Sequence, residues 1–270
     1  MGILKKITTK LFNKIQKELV EKIEKKLETN NEILLKILEK IEENNILLNK
    51  ISNSLEKIRN NDPRHPQYLF YKVCEYAQKQ TIEYIYTNMS KAICIVDHEQ
   101  FLRYCLSQCK TTGDIFEFGV YTGYTINFFA NLEPETDIYG FDSFEGLPED
   151  WNGYHYFDFN LNGEMPKVKP NVKLIKGWFS KSLPEFLKEY RKNDIKLIHV
   201  DCDLYSSTKT IFENLENYIK KDLIIIFDEY FNYPNFQLHE FKAFKEFVTK
   251  NNIKYQYIAY CGERVAVRIL

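Results

Sequence analysis

The sequence has no long apolar run and almost no net charge. No window holds the roughly 18 consecutive apolar residues that a transmembrane helix requires, and the first residues lack the compact apolar core of a signal peptide. The formal net charge of -1 lacks the basic excess with which nucleic-acid-binding proteins neutralise phosphates. We therefore expect a cytoplasmic protein that neither spans a membrane nor binds nucleic acid.

Closely spaced cysteine pairs are absent from the sequence, and glycine is scarce in its first part. The six cysteines form no Cys-x-x-Cys pair, which argues against a structural zinc site and a disulfide framework. No glycine lies between Gly2 and Gly113, and the only prolines in that span are Pro63 and Pro66. Because glycine and proline interrupt helices, this scarcity predicts that the first part of the chain, up to about residue 110, is mainly helical.

A heptad repeat of apolar residues runs from residue 20 to residue 58. The a positions are Val20, Leu27, Leu34, Ile41, Leu48 and Leu55, and the d positions are Ile23, Asn30, Ile37, Asn44, Ile51 and Ile58. This pattern favours a self-associating coiled coil, and leucine-rich a positions with isoleucine at d favour a trimer or tetramer. Asn30 and Asn44 would fix register and strand number. The alternative is one amphipathic helix that packs on its own domain or lies on a membrane.

The pattern of apolar residues, glycine and proline divides the chain into three parts. We predict an oligomerisation helix over residues 1–60, a helical segment over 61–112 and an α/β domain over 113–270. In the last part, short apolar runs predict buried strands, and helical or loop sequence follows each of them. The runs are DIFEFG, DIYGF, VKLIKG, IKLIHV and LIIIF. Such alternation implies a doubly wound parallel sheet with helices on both faces. The final run, KYQYIAYCGERVAVRIL, predicts a terminal antiparallel hairpin with its turn at Gly262.

Three features at the predicted strand ends suit an adenosine-type ligand. Gly119 and Gly123, in EFGVYTGYT, flank a turn where the backbone can approach a ligand, although a plain tight turn has the same sequence and the GxGxxG fingerprint is missing. Asp142 ends the next strand, where a carboxylate can accept hydrogen bonds from two ribose hydroxyls. Gly177 and Trp178 follow another strand, and Trp178 is either a wall for an adenine ring or ordinary core.

Four carboxylates follow two further predicted strands. Asp201 and Asp203 lie in HVDCDLYSST, and Asp228 and Glu229 lie in IIIFDEYFNYP. If the two strands are neighbours in a parallel sheet, these acids converge, and they repel one another unless a cation neutralises them. Oxygen ligands select hard ions such as Mg²⁺ or Mn²⁺. The alternative for each acid is a helix cap or a solvated loop end.

Several of these motifs together resemble the macrocin O-methyltransferase family. The motifs, in order, are FEFGVYTGYT, YGFDSFEGLPE, KGWFSKSLPEFL, HVDCDLYSSTKTIFENL, IIIFDEYFNYP and RVAVRI. The resemblance covers roughly residues 80–270 and leaves the heptad repeat outside. It implies a class I, Rossmann-like fold and an enzyme that transfers a methyl group from S-adenosylmethionine (SAM) to a sugar hydroxyl with the help of a divalent metal.

The resemblance also implies roles for individual residues. Asp201, Asp228 and Glu229 would hold Mg²⁺ or Mn²⁺, and Asp203, beside Asp201, would be the catalytic base. The chain departs from the family at Glu229, where a second aspartate is common. The residues implied to bind SAM are Glu117, Gly119, Tyr121, Thr122, Gly123, Asp142, Ser143, Gly177, Trp178 and Asp201.

Two aromatic-rich segments, residues 150–169 and 229–241, are predicted to form walls of the acceptor site or to be surface loops that hold core aromatics. His155 and His239 are second-rank candidates for the base. The acceptor would be a nucleotide-activated hexose or heptose for surface polysaccharide, or a finished glycoside.

Three other functions compete with this interpretation. Asp201-Cys202-Asp203 is also the Asp-x-Asp pattern of metal-dependent glycosyltransferases, which would leave EFGVYTG and GFDSFEGLP without a role. The run NYPNF faintly resembles the motif of amino-methyltransferases but lacks paired prolines. A non-enzymatic oligomeric scaffold built on the heptad repeat is the third.

Overall fold

The computed structural model describes residues 2–59, 63–65, 67–151, 159–191 and 194–270, without the side chains of 2–15 and 57–59. The chain divides into two compact units, Met1–Phe70 and Tyr71–Leu270. The first unit contains helix α1 (Gly2–Arg59), which is uninterrupted. Its apolar a and d side chains face solvent in the single chain; Leu48, for example, is 61% exposed. Ile58, the last position of the heptad repeat, lies outside the described side chains.

Helices and strands alternate through the rest of the chain. The helices are α2 (Tyr68–Asn88), α3 (His98–Ser107), α4 (Tyr124–Leu132), α5 (Phe179–Glu189), α6 (Tyr205–Leu215) and α7 (Glu240–Lys250). The strands are β1 (Ile93–Cys94), β2 (Asp114–Phe118), β3 (Ile138–Asp142), β4 (Val172–Lys176), β5 (Ile195–Val200), β6 (Ile224–Phe227), β7 (Tyr255–Cys261) and β8 (Arg264–Ile269). Each predicted apolar run therefore forms a strand.

One eight-stranded sheet, ordered β1-β7-β8-β6-β5-β2-β3-β4, organises the α/β region. Strands β2 to β6 run parallel, and β8 is antiparallel to both β6 and β7. The predicted doubly wound sheet with a terminal antiparallel hairpin is thus confirmed. The two-residue strand β1, which pairs parallel with β7, was not predicted because it is too short to show a period.

Each face of the sheet is covered by helices. Alternating strand side chains supply the two apolar clusters: Phe227 of β6 packs with α5, α6 and α7, whereas Ile226 packs with α3 and α4. Burial on both faces explains why β6 is a continuous apolar run and β5 is mostly apolar, with every residue buried, including Lys196 and His199. No helix among the described residues combines the length and apolarity needed to cross a membrane.

Candidate functional site

A cavity of about 920 Å³ opens at the carboxyl ends of the parallel strands. Ligands bind at this edge in open α/β sheets, because the loops that follow the strands diverge there. The predicted cofactor residues that line the cavity are Gly119, Tyr121, Asp142, Ser143, Gly177, Trp178 and Asp201. Glu117, Thr122 and Gly123 are not among the lining residues, and Glu117 is fully buried beneath the cavity.

The glycine turn after β2 packs directly on the loop after β5. Gly119 has φ 92°, in the region that favours glycine, and its N–H donates to the carbonyl of Phe141 (3.0 Å). A Cβ atom added at Gly119 would lie 1.6 Å from the carbonyl oxygen of Asp201. The turn therefore requires glycine, and it ties the predicted cofactor end of the cavity to the acids.

Asp142 holds the same turn from the neighbouring strand. Its Oδ2 accepts from the N–H groups of Val120 and Tyr121, both at 2.8 Å, and its Oδ1 accepts from the N–H of Phe144 at 2.7 Å. Three of the roughly four acceptor positions of this carboxylate are therefore used by the backbone. Asp142 fixes the turn, and one acceptor position remains for a ligand hydroxyl.

Trp178 forms part of the cavity wall rather than the core. It caps α5, is only partly buried and lies beside Gly177, whose N–H donates to the carbonyl of Asp142 (2.9 Å). Both residues line the cavity, and neither apolar cluster includes Trp178. Of the two alternatives left open by the sequence, the structure therefore favours a ligand wall at Trp178.

Three of the four predicted acids converge on one point. Oxygen atoms of Asp201, Asp203 and Glu229 lie within 4.8 Å of one another. Burial and the neighbouring Asp228 raise the pKa of Asp201 and Glu229 well above their ordinary values. Burial also raises the pKa of Asp203 to about 7. A buried oxygen of Glu229, Oε2, has no hydrogen-bond partner among the described residues. Oxygen ligands, mutual repulsion and an unsatisfied buried oxygen fit a hard divalent cation.

Asp203 occupies an unusual backbone conformation. Its φ is +64°, and the N–H of Leu204 donates to the carbonyl of Cys202 (2.6 Å), which closes a three-residue turn around it. Such turns are rare for residues with a side chain and are concentrated at functional sites. The turn directs the loop after β5 away from the strand, immediately before α6.

Asp228 differs from the other three acids because cations of the protein surround it. Arg264 donates to it from Nε (2.7 Å to Oδ1) and from NH2 (2.9 Å to Oδ2). His199 Nε2 lies 3.7 Å from Oδ1. Burial acts to raise the pKa of Asp228, but His199 and Arg264 outweigh it and hold this pKa well below the ordinary value. Ligand atoms of Asp228, Asp201 and His199 also lie within 4.8 Å of one another, so Asp201 belongs to this second group as well as to the group with Asp203 and Glu229.

A buried histidine joins Asp228 to Glu117. His199 Nδ1 lies 3.2 Å from Glu117 Oε2, and neither residue is more than 1% exposed. Burial acts to lower the pKa of His199, but the two carboxylates raise it to about 10. A charged imidazole has no free lone pair, so in its protonated form His199 pairs with the two carboxylates and offers no ligand atom to a metal. The sequence reasoning missed His199, whose only signal is a polar residue inside the apolar run IKLIHV.

The walls predicted from the aromatic segments are only partly present. Trp151 and Phe159 line the cavity, whereas residues 152–158, including His155, lie outside the described residues. From the segment 229–241, only Glu229 lines the cavity. The aromatic side chains of this segment mostly pack into the core, as expected for a surface loop that holds core aromatics. His239 contacts Trp151 and does not line the cavity.

Comparison with known proteins identifies the α/β region. A family model described as a methyltransferase domain matches residues 116–230. The chain is 28% identical over 156 residues to the 8-demethyl-8-(2,3-dimethoxy-alpha-L-rhamnosyl)-tetracenomycin-C 4'-O-methyltransferase of Streptomyces olivaceus, which covers 48% of this chain and 58% of that relative. The chain thus spans little more than half the length of this relative.

Two solved structures share the fold. The O-methyltransferase NovP is 18% identical with a TM-score of 0.51, and the match covers 63% of this chain and 78% of NovP. The calicheamicin methyltransferase CalS11 is 20% identical with a TM-score of 0.53, and the match covers 82% of this chain and 91% of CalS11. The predicted class I methyltransferase fold is confirmed. Residues 116–230 form a methyltransferase domain, and the resemblance of the chain to the macrocin O-methyltransferase family is borne out.

Proposed function

We propose that the protein transfers the methyl group of SAM to a hydroxyl group of a sugar, with a divalent cation at the acid cluster. The matched methyltransferase domain supports methyl transfer. The Streptomyces relative, whose name describes a rhamnosyl 4'-O-methyltransferase, supports a sugar oxygen as the acceptor. We take a nucleotide-activated hexose or heptose for surface polysaccharide as the first acceptor class to test, and a finished glycoside as the second.

One observation carries this proposal: a single cavity contains both the predicted SAM residues and the acids. Asp142, Gly177 and Trp178 line one part, and Asp201, Asp203 and Glu229 line another. The contact between Gly119 and the Asp201 backbone brings the two parts together. SAM, when bound, supplies a sulfonium methyl group that an acceptor oxygen can attack in line. The chain then acts mainly by holding the two reactants in contact.

Asp203 is the proposed base. A sugar hydroxyl is a poor nucleophile at neutral pH, so its proton must leave as the new O–CH₃ bond forms and the S–CH₃ bond breaks. A general base works best when its pKa is near the working pH. Burial brings the pKa of Asp203 to about 7, and the turn around Asp203 holds its carboxylate at the cavity.

The cation is proposed to bind Asp201, Asp228 and Glu229, as the resemblance implies. A divalent cation, when bound, supplies positive charge that lowers the pKa of a neighbouring hydroxyl. Asp201 is the residue on which this proposal depends most, because its ligand atoms lie within 4.8 Å of those of Asp228 in one group and of those of Glu229 in the other. Arg264 uses two of the roughly four acceptor positions of Asp228, so Asp228 would share its charge between the cation and Arg264.

Helix α1 is proposed to associate with further copies of the chain through its heptad stripe. Nine apolar a and d side chains between Val20 and Leu55 are about half exposed in the single chain, for example Ile37 at 49%. A helix with one continuous apolar stripe is stabilised when that stripe is covered. Leucine-rich a positions and isoleucine at d favour three or four strands.

The proposed function is tested by binding and by turnover. Calorimetric titration should show binding of SAM, and tritiated SAM should label a sugar acceptor in a screen of nucleotide sugars and glycosides. A chelator should stop the labelling, and Mg²⁺ or Mn²⁺ should restore it. Binding of a UDP- or GDP-sugar without any binding of SAM would support a glycosyltransferase instead. Full turnover in chelator would reject the cation and leave methyl transfer intact.

A further inference from the structure

Glu240 is a buried acid next to the acid cluster, and no motif of the sequence analysis includes it as a site residue. It is the first residue of α7 and is 0% exposed. A buried carboxyl group is costly unless its oxygens find hydrogen-bond donors. The start of a helix reduces this cost, because the free N–H groups of the first turn favour negative charge.

The carboxyl group of Glu240 contacts the backbone of both acid-bearing loops. Its Oε1 accepts from the N–H of Cys202 (3.3 Å), which lies between Asp201 and Asp203. Burial raises the pKa of this carboxyl group well above its ordinary value, and hydrogen bonding by the backbone N–H groups of Cys202 and Glu229 acts against that rise. One side chain from α7 therefore joins the loop after β5 to the loop after β6.

The strand ladder holds the first acid of each loop but not the residues after it, since the N–H of Asp201 donates to Phe118 (2.8 Å) and that of Asp228 donates to Val200 (2.9 Å). The last paired residues of β5 and β6 are Val200 and Phe227. Beyond them, the Cys202 peptide is held on both sides: its N–H by Glu240, and its carbonyl by the N–H of Leu204 (2.6 Å). These two bonds fix the turn that gives Asp203 its φ of +64°.

We propose that Glu240 is a positioning residue whose carboxyl group clamps the N–H groups of Cys202 and Glu229 and so sets the spacing of Asp201, Asp203 and Glu229. This inference rests on the proposed function, because the spacing matters only if these acids bind a cation and the acceptor proton. The other carboxyl oxygen, Oε2, is buried and has no hydrogen-bond partner among the described residues. A leucine would remove that unsatisfied oxygen but would leave the buried N–H of Cys202 without its acceptor, so a loss of stability alone does not identify the role of the carboxyl group.

The test uses the full-length protein with three changes at one position. Glu240→Leu removes both hydrogen bonds, Glu240→Asp shortens the side chain by one methylene, and Glu240→Gln keeps an oxygen that can accept both N–H groups. Glu246→Leu is the matched control, because Glu246 lies on the same helix with a side chain that is 53% exposed. The measurements are the affinity for Mn²⁺ by calorimetry, the affinity for SAM, the melting temperature, and hydrogen exchange of the loops after β5 and β6.

The clamp predicts a specific combination of results. Glu240→Leu and Glu240→Asp should bind Mn²⁺ at least about tenfold more weakly, which is the loss of affinity seen when residues that orient metal ligands are changed. Backbone hydrogen exchange in the loops after β5 and β6 should be faster in both variants. Glu240→Gln should stay near wild type in both measurements. The melting temperature of Glu240→Leu should fall, because the N–H of Cys202 loses its acceptor, so the Mn²⁺ affinities are compared at a temperature where every variant is folded. Unchanged exchange and unchanged Mn²⁺ affinity in the Leu and Asp variants would overturn the clamp. If wild type binds no Mn²⁺, the proposed cation is wrong, and hydrogen exchange alone decides the clamp.

Discussion

The backbone of Gly119 lies directly against the carbonyl group of Asp201, so that a Cβ atom at Gly119 would sit 1.6 Å from that oxygen. The contact joins the turn that faces the predicted methionine end of SAM to the first acid of the cluster. Since both partners are backbone atoms, neither can move aside without moving its strand end. The two halves of the proposed site are therefore coupled through main-chain packing.

Substitution of Gly119 by alanine should disrupt both halves. We expect Gly119→Ala to lose SAM binding by calorimetry and to lower the free energy of unfolding by several kcal/mol, in the way that overpacking and a disallowed φ combine. Gly262→Ala is the matched control, because Gly262 also has positive φ (61°) but nothing within 4 Å of the added Cβ. It should cost only about 1 kcal/mol. Normal SAM affinity in Gly119→Ala would contradict this prediction, because it would show that the turn can move away from Asp201 without loss of SAM binding.

Removal of the carboxylate at Asp203 should abolish turnover but spare cofactor binding. Asp203→Asn is expected to reduce kcat by about a hundredfold or more, the usual contribution of a general base, while the Kd for SAM stays unchanged. Without a cation, burial raises the pKa of Asp203 to about 7. Because turnover is proposed to require the bound cation, the wild-type rate should rise with pH as Asp203 loses its proton at a pH below that value, since positive charge favours the carboxylate. A flat pH profile with full activity in Asp203→Asn would exclude this base.

The raised pKa of Asp203 also makes stability depend on pH in the absence of metal. Its folded-state pKa of about 7 lies above the ordinary value of 3.8. The folded state therefore binds this proton more tightly than the unfolded state does, and the free energy of unfolding should fall as pH rises from about 4 to about 7. The slope contributed by one such group is about 1.4 kcal/mol per pH unit. Urea unfolding of wild type and Asp203→Asn in chelator measures it, and the variant should lack this part of the decline.

Loss of Arg264 should leave a buried negative charge at Asp228. We expect Arg264→Ala to lower the free energy of unfolding by about 2 kcal/mol, somewhat less than for a fully buried pair because the Arg264 side chain is 28% exposed. Arg264→Lys should recover only part of this, since lysine cannot bind both carboxylate oxygens side by side. Arg103→Ala is the control; Arg103 is 52% exposed and lies 3.9 Å from Glu99, so about 1 kcal/mol or less is expected. Equal effects at both positions would contradict the special role of the Asp228 pair.

Charged residues at the a and d positions of α1 should dissociate the proposed oligomer. Ile37→Asp combined with Ile51→Asp places carboxylates at two d positions, and light scattering after size exclusion should then give the mass of one chain, 32.3 kDa. Lys36→Asp with Lys50→Asp, off the a and d positions of the same helix, should keep the wild-type mass. A wild-type protein that already has the mass of one chain would refute self-association through residues 20–58.

Much of the architecture could be predicted from local sequence. Strands such as those in IKLIHV and LIIIF are buried on both faces, so most of their residues are apolar and each is visible as a run. The hairpin was predictable because two such runs flank one glycine, and it forms with β7 and β8 antiparallel. Parallel strands bring their carboxyl ends to one edge, which is why the positions of Asp142, Asp201 and Glu229 at a common cavity followed from their places after strands.

The partners of the individual acids were decided by tertiary structure. Asp228 is bound by Arg264 of β8, the hairpin strand that pairs with β6, and Glu240 reaches Cys202 from α7; no local pattern contains either pair. Asp142 binds three backbone N–H groups because the glycine turn folds over it. The ends of the strands can be read from the sequence, since period and apolarity are local properties. Which charges meet depends on the folded chain, because loop conformations with positive φ and contacts between distant elements set the direction of each side chain.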